Sequence, residues 1–419
     1  MHLQRRELLT TAAAAALSLT SSRSFARDLP TTSPKSQGFD PERLKRIGVA
    51  LQRRVDAGEA PGFLAAIMRN GKLVHFDSVG YRNIASKIPM SRDTIFRIMS
   101  MTKPITSVAA MMLVEENKIR LTDPVSKFIP AFAQSQIYVS GEGADMVTVP
   151  AKRKMQIRNL MMHTSGLSYG TPRGSAVEKL QAERKLSVQN FSSLPEFCDA
   201  VAKLPLLFEP GSKWNYSIAT DILGRVIEVA SGQPLAEFFQ ERIFVPLGMT
   251  ETAFFITPSQ AKRVAISYRA TEKGLENFGP EAVSRFLAPP TAPSGGEGLT
   301  STADDYLSFA SMLLNEGQWN GARLLGPESV SMMRANHLPK SIMDTRDSGF
   351  GLGFGVDLIP ASRDYYGGAG SYHWSGAQRT HFWVDPTNKI VGLSMTQVDD
   401  FDNYFEEDMR ALTYQAFMG

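Results

Sequence analysis

The hydrophobic residues near the start of the chain follow first a helical and then a strand-like period. Between residues 41 and 58, apolar side chains recur every three to four positions, at Leu44, Ile47, Leu51 and Val55. This spacing predicts an amphipathic surface helix. Two β-rich runs follow at residues 62–68 and 73–79, and the Asn70-Gly71 pair between them is typical of a tight hairpin turn.

Further along, the pattern becomes helical and then returns to strands. Residues 104–260 are mostly typical of helices joined by loops rich in Pro and Gly. Strand patterns return at residues 353–358, 381–385 and 390–397, and a final helix is predicted over 404–417.

This order predicts an α/β (α+β) fold, in which an antiparallel sheet is flanked by the terminal helices and carries an inserted, mainly helical lobe. We expect one domain from residue 27 to 419. Its sheet lobe is expected to come from about residues 35–100 and 290–419, and its helical lobe from about 104–260. The cleft between the lobes is the expected site.

The first 26 residues have the pattern of an export signal rather than of a folded segment. Arg5 and Arg6 precede an apolar stretch at residues 10–20, and small residues lead to Ala26. This predicts a twin-arginine signal, with an ordinary secretory signal as the alternative. About 20 apolar residues are needed to span a bilayer, so an anchor is not predicted. We expect a periplasmic or secreted protein that is delivered by the export machinery and does not insert into a membrane.

Charge and composition exclude several classes of function. Residues 1–26 hold three arginines and one glutamate, so their removal lowers the formal net charge from +3 to +1. Such a balance gives no reason to expect nucleic acid as a partner. The single Cys198 cannot form an internal disulfide, and its apolar neighbours predict burial. Because no HExxH or paired CxxC pattern occurs, we predict no metal and no other cofactor.

The candidate chemistry begins at an SxxK motif, Ser100-Met101-Thr102-Lys103. It is followed by Pro104 and by apolar residues at the offsets of one buried helix face. Because Pro is tolerated only in a first turn, the helix is predicted to begin near Ser100. Residues three apart share a helix face, so the Lys103 ammonium can reach the Ser100 hydroxyl. A serine needs a base before it can attack, and the helix start offers N–H groups to an oxyanion.

Other residues could compete for the catalytic roles. Residues 166–170 match GxSxG, but the preceding segment is predicted to be a helix, whereas a nucleophile elbow needs a strand there. We therefore do not predict Ser168 as the nucleophile. His163 and His373 are possible general bases, although neither is the predicted one.

Five segments, in chain order, resemble those of the serine β-lactamases and penicillin-binding proteins, over roughly residues 35–415. They are Phe96 to Pro104 with the SxxK motif, Leu160 to Leu167 with an HTSGL turn, Phe208 to Ser217, Gly298 to Asp305, and Trp374 to Ala377. The resemblance implies a β-lactamase/transpeptidase-like fold. It also implies that Tyr216 is the catalytic tyrosine and that the backbone N–H of Ala377 joins that of Ser100 in the oxyanion hole. A nearby ammonium favours the phenolate that such a base needs.

Two departures from the β-lactamase pattern concern the substrate. The family's Tyr-x-Asn is here Tyr216-Ser217-Ile218, and its Lys-Thr-Gly is here Trp374-Ser375-Gly376. Both polar groups that bind a β-lactam or peptide are missing, which disfavours such substrates. Ile218 and Trp374 suit an uncharged acyl or alcohol group instead, a pairing that resembles the family VIII carboxylesterases.

The resemblance therefore implies a serine hydrolase that cleaves small esters through an acyl-enzyme on Ser100. One alternative is a β-lactamase or D-Ala-D-Ala carboxypeptidase. A second is an acyltransferase that uses an alcohol in place of water, and a third is a non-catalytic penicillin-binding-like sensor. The joint presence of Ser100, Lys103 and Tyr216 argues against the sensor.

Overall fold

The computed structural model describes residues 29–279, 284–344, 348–360, 366–399 and 405–419. The predicted export signal, residues 1–26, lies outside the described residues. Among those that are described, no helix is both long and apolar enough to cross a bilayer.

The strands and helices are numbered here in chain order. The strands are β1 (Gly62–Arg69), β2 (Lys72–Asn83), β3 (Ile88–Pro89), β4 (Phe96–Arg97), β5 (Gln136–Ser140), β6 (Val147–Pro150), β7 (Tyr268–Thr271), β8 (Gly274–Asn277), β9 (Thr300–Ser301), β10 (Gln318–Trp319), β11 (Ala322–Arg323), β12 (Gly349–Phe350), β13 (Gly355–Asp357), β14 (Ser371–Ser375), β15 (Thr380–Asp385), β16 (Ile390–Met395) and β17 (Val398–Asp399). The α-helices are α1 (Pro41–Asp56), α2 (Thr102–Glu115), α3 (Ile157–Met161), α4 (Ala176–Glu183), α5 (Leu194–Val201), α6 (Ala219–Ser231), α7 (Leu235–Phe239), α8 (Val245–Leu247), α9 (Ala303–Leu314), α10 (Pro327–Arg334), α11 (Lys340–Met343) and α12 (Phe405–Tyr414).

The main sheet has the order β12-β13-β14-β15-β16-β1-β2-β3, and each neighbouring pair is antiparallel. Asn70 and Gly71, with φ angles of 49° and 72°, form the predicted turn between β1 and β2. Helices α1 and α12 pack together on one face, and α9 packs on β15 and β16. The predicted fold class is confirmed.

Strand β1 shows how the sheet is buried on both sides. Alternate residues enter two different apolar clusters: Phe63, Ala65 and Ile67 join the α1 and α12 side, whereas Leu64, Ala66 and Met68 join the side that contains α9. Burial on both faces explains why β1 is a continuous apolar run in the sequence rather than an alternating one.

Helix α2 is more deeply buried than its sequence pattern predicts. The offsets indicate one buried face, yet residues 102–113 are buried on all sides. The helix packs against α6 and joins the core that also contains Leu393 of β16. The start of α2, next to Ser100, is therefore fixed within the core of the molecule.

Some strands are absent from the sequence prediction. The β5 and β6 hairpin lies within residues 104–260, which the sequence predicts as mostly helices joined by loops. Ile137 is the one buried residue of its two strands, whereas Val139, Val147 and Val149 are exposed. The strand predicted at residues 353–358 is shorter, since Gly353 has a φ of 99° and β13 begins at Gly355.

Cys198 is fully buried as predicted, and burial raises the pKa of its thiol.

Candidate active site

Ser100 lies in a 3-10 turn, Met99–Met101, that leads directly into α2. Met99 has a φ of 45°, a conformation that is uncommon for a residue other than Gly and that clusters at functional sites. The turn is held from both sides. The Ile98 N–H donates to the Leu299 carbonyl at 3.1 Å, and the Tyr306 hydroxyl donates to the Met101 carbonyl at 2.9 Å. The nucleophile candidate thus stands at the helix start that the sequence predicts.

Lys103 is buried and donates three hydrogen bonds. Its Nζ lies 3.2 Å from Ser100 Oγ, 3.0 Å from Tyr169 Oη and 2.8 Å from the Gly296 carbonyl oxygen. An ammonium has three protons, so all of them have an acceptor. The spacing of three residues brings Ser100 and Lys103 together as the sequence predicts.

Two tyrosines flank Lys103, and their hydroxyls differ in environment. The Tyr216 ring lies 4.7 Å from Nζ, within range of a cation–π interaction. Its hydroxyl is buried and has no hydrogen-bond partner among the described residues. The Tyr169 hydroxyl is the one that accepts from Lys103. Sequence reasoning missed Tyr169, although it directly follows Ser168 in the GxSxG match.

Burial and charge act in opposite directions on these groups. Burial by itself lowers the pKa of the Lys103 ammonium, but the interactions with the Tyr169 and Tyr216 phenols and with Asp221 outweigh burial and raise the pKa above its usual value. Burial raises the pKa of the Tyr169 phenol, although Lys103 opposes this. At neutral pH, Lys103 is therefore an ammonium and Tyr169 a neutral phenol.

The turn between β14 and β15 lies against the backbone next to Ser100. The Gly376 N–H donates to the Thr380 carbonyl at 2.7 Å, and the Thr380 hydroxyl donates to the Ile98 carbonyl at 3.3 Å. A Cβ on Gly376 would lie only 2.4 Å from that Ile98 oxygen, so only Gly permits the approach. The Ala377 N–H has no acceptor in the described part of the chain. It is available to an oxyanion.

A cavity of about 490 Å³ opens at Ser100. Its lining is partly aromatic and partly polar, and it includes all four predicted residues 374–377. The aromatic lining consists of Trp214, Tyr216, Phe350 and Trp374, and the further lining includes Ser375, Gly376, Ala377, Arg379 and Glu406. Trp374 packs at 5.3 Å from Phe350 and at 5.4 Å from Tyr216, ring centre to ring centre. The cavity therefore offers an apolar wall next to the nucleophile candidate.

Ile218 is placed differently from the other predicted site residues. It precedes α6, is 5% exposed and belongs to the apolar core. It is not among the residues that line the cavity. A direct contact between Ile218 and substrate stays a prediction.

The competing candidates have other partners. The Ser168 hydroxyl is buried and donates to Gln181 Oε1 at 2.9 Å, and the helix α3 rather than a strand precedes this segment. His163 packs with its ring centre 4.6 Å from that of Tyr216. His373 Nε2 lies 3.2 Å from Asp357 Oδ1. These contacts are structural and do not include Ser100.

A second Ser–His–acid set is formed by Ser375 of β14, His381 of β15 and Glu406 of α12, but its geometry differs from that of a catalytic triad. Ser375 Oγ lies 3.0 Å from His381 Nδ1, and Glu406 Oε2 lies 3.4 Å from the same nitrogen. A triad uses one ring nitrogen for the serine and the other for the acid. Burial also lowers the pKa of His381, so its ring is neutral. The set therefore connects the end of β14, next to Gly376, to β15 and α12.

The chain is similar to several known proteins. A family model described as Beta-lactamase matches residues 50–416. Protein Rv1367c of Mycobacterium tuberculosis (strain ATCC 25618 / H37Rv) is 37% identical over 365 residues, 83% of this chain and 88% of that protein. Esterase EstB of Burkholderia gladioli is 29% identical over 385 residues, 85% of this chain and 92% of that protein. The solved structure of EstCE1, described as a hydrolase with promiscuous acyltransferase activity, has a TM-score of 0.77 at 28% identity and covers 89% of this chain and 99% of its own.

The contact between Gly376 and Ile98 yields a prediction about activity. Gly376→Ala pushes the turn away from Ser100 and displaces the Ala377 N–H, so we expect kcat/KM for an ester to fall about 10²- to 10³-fold, as for the loss of one oxyanion donor. Ala377→Gly keeps the N–H and serves as the matched control. Steady-state kinetics on both folded variants give the measurement, and equal values of kcat/KM would contradict the role of this turn.

Proposed function

Since this chain belongs to the β-lactamase family, we propose that it is a serine ester hydrolase that cleaves small, uncharged esters through an acyl-enzyme on Ser100. The observation that carries the proposal is the buried Lys103 ammonium, which hydrogen-bonds the Ser100 hydroxyl at the opening of an aromatic cavity. The similarity to Esterase EstB, over most of both chains, supports the same class of reaction.

In the proposed acylation step, Ser100 Oγ forms a bond to the ester carbonyl carbon. Its proton passes to the Tyr216 oxygen, beside the Lys103 ammonium, and from there to the oxygen of the departing alcohol, whose bond to the carbonyl carbon breaks. The backbone N–H groups of Ser100 and Ala377 stabilise the oxyanion. Water then attacks the acyl carbon and gives one proton to the same tyrosine oxygen, and a proton returns to Ser100 Oγ as its bond to the acyl carbon breaks.

Tyr169 has a different part in this proposal. Because its phenol is neutral, its oxygen can accept the hydrogen bond from Lys103 but cannot take the proton of Ser100. It orients the ammonium between Ser100 and Tyr216. No metal or other cofactor takes part in these steps.

The cavity supports the proposed substrate class. Trp374 stands where the β-lactamases carry a lysine, so no ammonium is supplied there to a substrate carboxylate. Its ring, together with those of Phe350 and Trp214, forms an apolar wall that suits an acyl chain or an apolar alcohol.

Acyl transfer to an alcohol is a second candidate reaction. The similarity to EstCE1, at 28% identity and over nearly all of that chain, favours it. The same acyl-enzyme serves both reactions, since an alcohol bound in the apolar cavity can replace the attacking water.

We also propose that residues 1–26 direct export to the periplasm, as Arg5 and Arg6 and the following apolar stretch suggest. Replacing both arginines by lysine is expected to leave the protein in the cytoplasmic fraction. Unchanged export would indicate that residues 1–26 are an ordinary secretory signal instead.

The substrate class is tested by comparing hydrolysis of a short-chain nitrophenyl ester with that of a cephalosporin. We expect kcat/KM to favour the ester, and Ser100→Ala to abolish hydrolysis. A phosphonate ester is expected to add covalently to Ser100, as seen by peptide mass spectrometry. Preference for the cephalosporin would point to a β-lactamase, and an adduct on another residue would overturn the mechanism. An ester of added butanol among the products would show acyl transfer.

The assignment of the base is tested with two matched variants, each of which loses one hydroxyl. Tyr216→Phe is expected to lower kcat about 10²- to 10⁴-fold, as for the loss of a general base. Tyr169→Phe is expected to lower kcat less, because it removes only an acceptor for Lys103. If Tyr169→Phe proves the more damaging of the two, the roles of the tyrosines are exchanged.

A further inference from the structure

Asp221, in the first turn of α6, is a buried carboxylate that the proposed chemistry does not use. It is 3% exposed, and no Lys or Arg lies within ion-pair distance of it in the part of the chain that the structure describes. A buried carboxylate is costly unless hydrogen bonds or an opposite charge compensate it. Its Oδ1 accepts from the Ser294 hydroxyl at 2.5 Å and from the Gly296 N–H at 3.0 Å.

These hydrogen bonds connect Asp221 to Lys103 through one peptide segment. The Gly296 residue whose N–H binds Asp221 also accepts from Lys103 Nζ, through its carbonyl, at 2.8 Å. The preceding Gly295 carbonyl accepts from the Thr106 hydroxyl at 2.6 Å. The segment is therefore bound by α6 on one side and by α2 on the other.

Close packing fixes the segment in this position. A Cβ on Gly296 would lie 2.7 Å from Asp221 Oδ2, and a Cβ on Gly295 would lie 2.7 Å from the Thr220 carbonyl oxygen. Two glycines thus let the segment approach α6 closely enough for the carboxylate to reach the Gly296 N–H.

The charges around Lys103 show what the carboxylate contributes. The three acceptors of the ammonium are a hydroxyl, a phenol and a carbonyl. Because Tyr169 is neutral at pH 7, none of these three acceptors carries a full negative charge. Asp221 faces Lys103 from α6 and is among the groups that favour its ammonium form.

Other titratable groups also face Asp221. They are Lys103, Tyr169, Glu297 and the thiol of Cys198. Burial is the main reason why the pKa of Asp221 rises to about 6, whereas Lys103 and the Ser294 hydrogen bond oppose the rise. At neutral pH the carboxylate is ionised, and it loses its charge as the pH falls through about 6.

We propose that Asp221 is a positioning residue for acyl transfer at Ser100: it holds the Gly296 carbonyl against Lys103 and supplies the buried countercharge for the ammonium. This inference rests on the proposed hydrolysis at Ser100. The polarised chain from carboxylate through peptide to ammonium strengthens the hydrogen bonds along it. Lys103 is thereby held, protonated, at the distance from which it orients Ser100.

The test compares Asp221→Asn, which keeps an acceptor of the same shape without the charge, with Ser294→Ala, which keeps the charge and removes one hydrogen bond. In Asp221→Asn we expect kcat for the ester to fall about tenfold or more, with KM nearly unchanged, since each pKa unit of lost interaction is tenfold. The acid limb of its pH–kcat profile should disappear.

Ser294→Ala is expected to shift the acid limb of the pH–kcat profile rather than to abolish it. The Ser294 hydrogen bond lowers the pKa of Asp221, so its removal should move the acid limb to higher pH, with a smaller loss of kcat at pH 8. A merely structural role for either side chain would lower the yield of folded enzyme without moving a limb of the profile. Circular dichroism and the fraction of Ser100 that a phosphonate labels report that yield.

The outcomes separate the two proposals. If the native protein hydrolyses no ester, the proposed function fails. If it does, and folded Asp221→Asn keeps the native kcat and pH profile, the role of Asp221 is overturned. If Asp221→Asn does not fold, the test rests on Ser294→Ala. An acid limb at the native pH in that variant would also overturn the role of Asp221.

Discussion

The site depends on one interaction, a lysine ammonium held inside the protein. Taking such a charge out of water is costly, and hydrogen bonds and opposite charge must compensate it. Lys103 meets this constraint with acceptors from three separate parts of the chain and with the face of a fourth group, the Tyr216 ring. The convergence of these segments on one nitrogen determines where the nucleophile and the tyrosines lie.

The helices and the main sheet hold the groups around Lys103 in place. Helix α2 is surrounded by apolar side chains, so its first turn cannot shift, and Tyr306 of α9 holds the carbonyl next to Ser100. The sheet brings the turn between β14 and β15 to the same place from the other side. The reacting groups therefore stand between two rigid layers, and the loops contribute Tyr169 and Gly296.

The sequence predicts well what depends on local spacing. Helix α1, the β1 and β2 hairpin and the contact between Ser100 and Lys103 each follow from periods of two to four residues. Tyr169 could not be found in this way, because its contact with Lys103 joins residues 66 positions apart. The same holds for Asp221, which reaches Lys103 only through a peptide far along the chain.

Resemblance supplied part of what local spacing could not. It indicated Tyr216 and the Trp374 strand, and the structure brings these segments to the cavity at Ser100. It did not indicate the side-chain directions within them: Ile218 packs in the core, and its contact with substrate stays a prediction. The hairpin of β5 and β6 escaped prediction because strand periodicity is visible only where one face is buried.

The close approach of Gly376 to the Ile98 carbonyl is a contact between backbone atoms, so it does not depend on the side chains that line the cavity. Backbone atoms set the spacing between the turn from β14 to β15 and Ser100, whereas side chains, among them the rings of Trp214, Phe350 and Trp374, form the aromatic wall of the cavity. Reshaping that wall should alter which esters are accepted while the reacting atoms keep their places. The scaffold is accordingly well suited to laboratory evolution of substrate range.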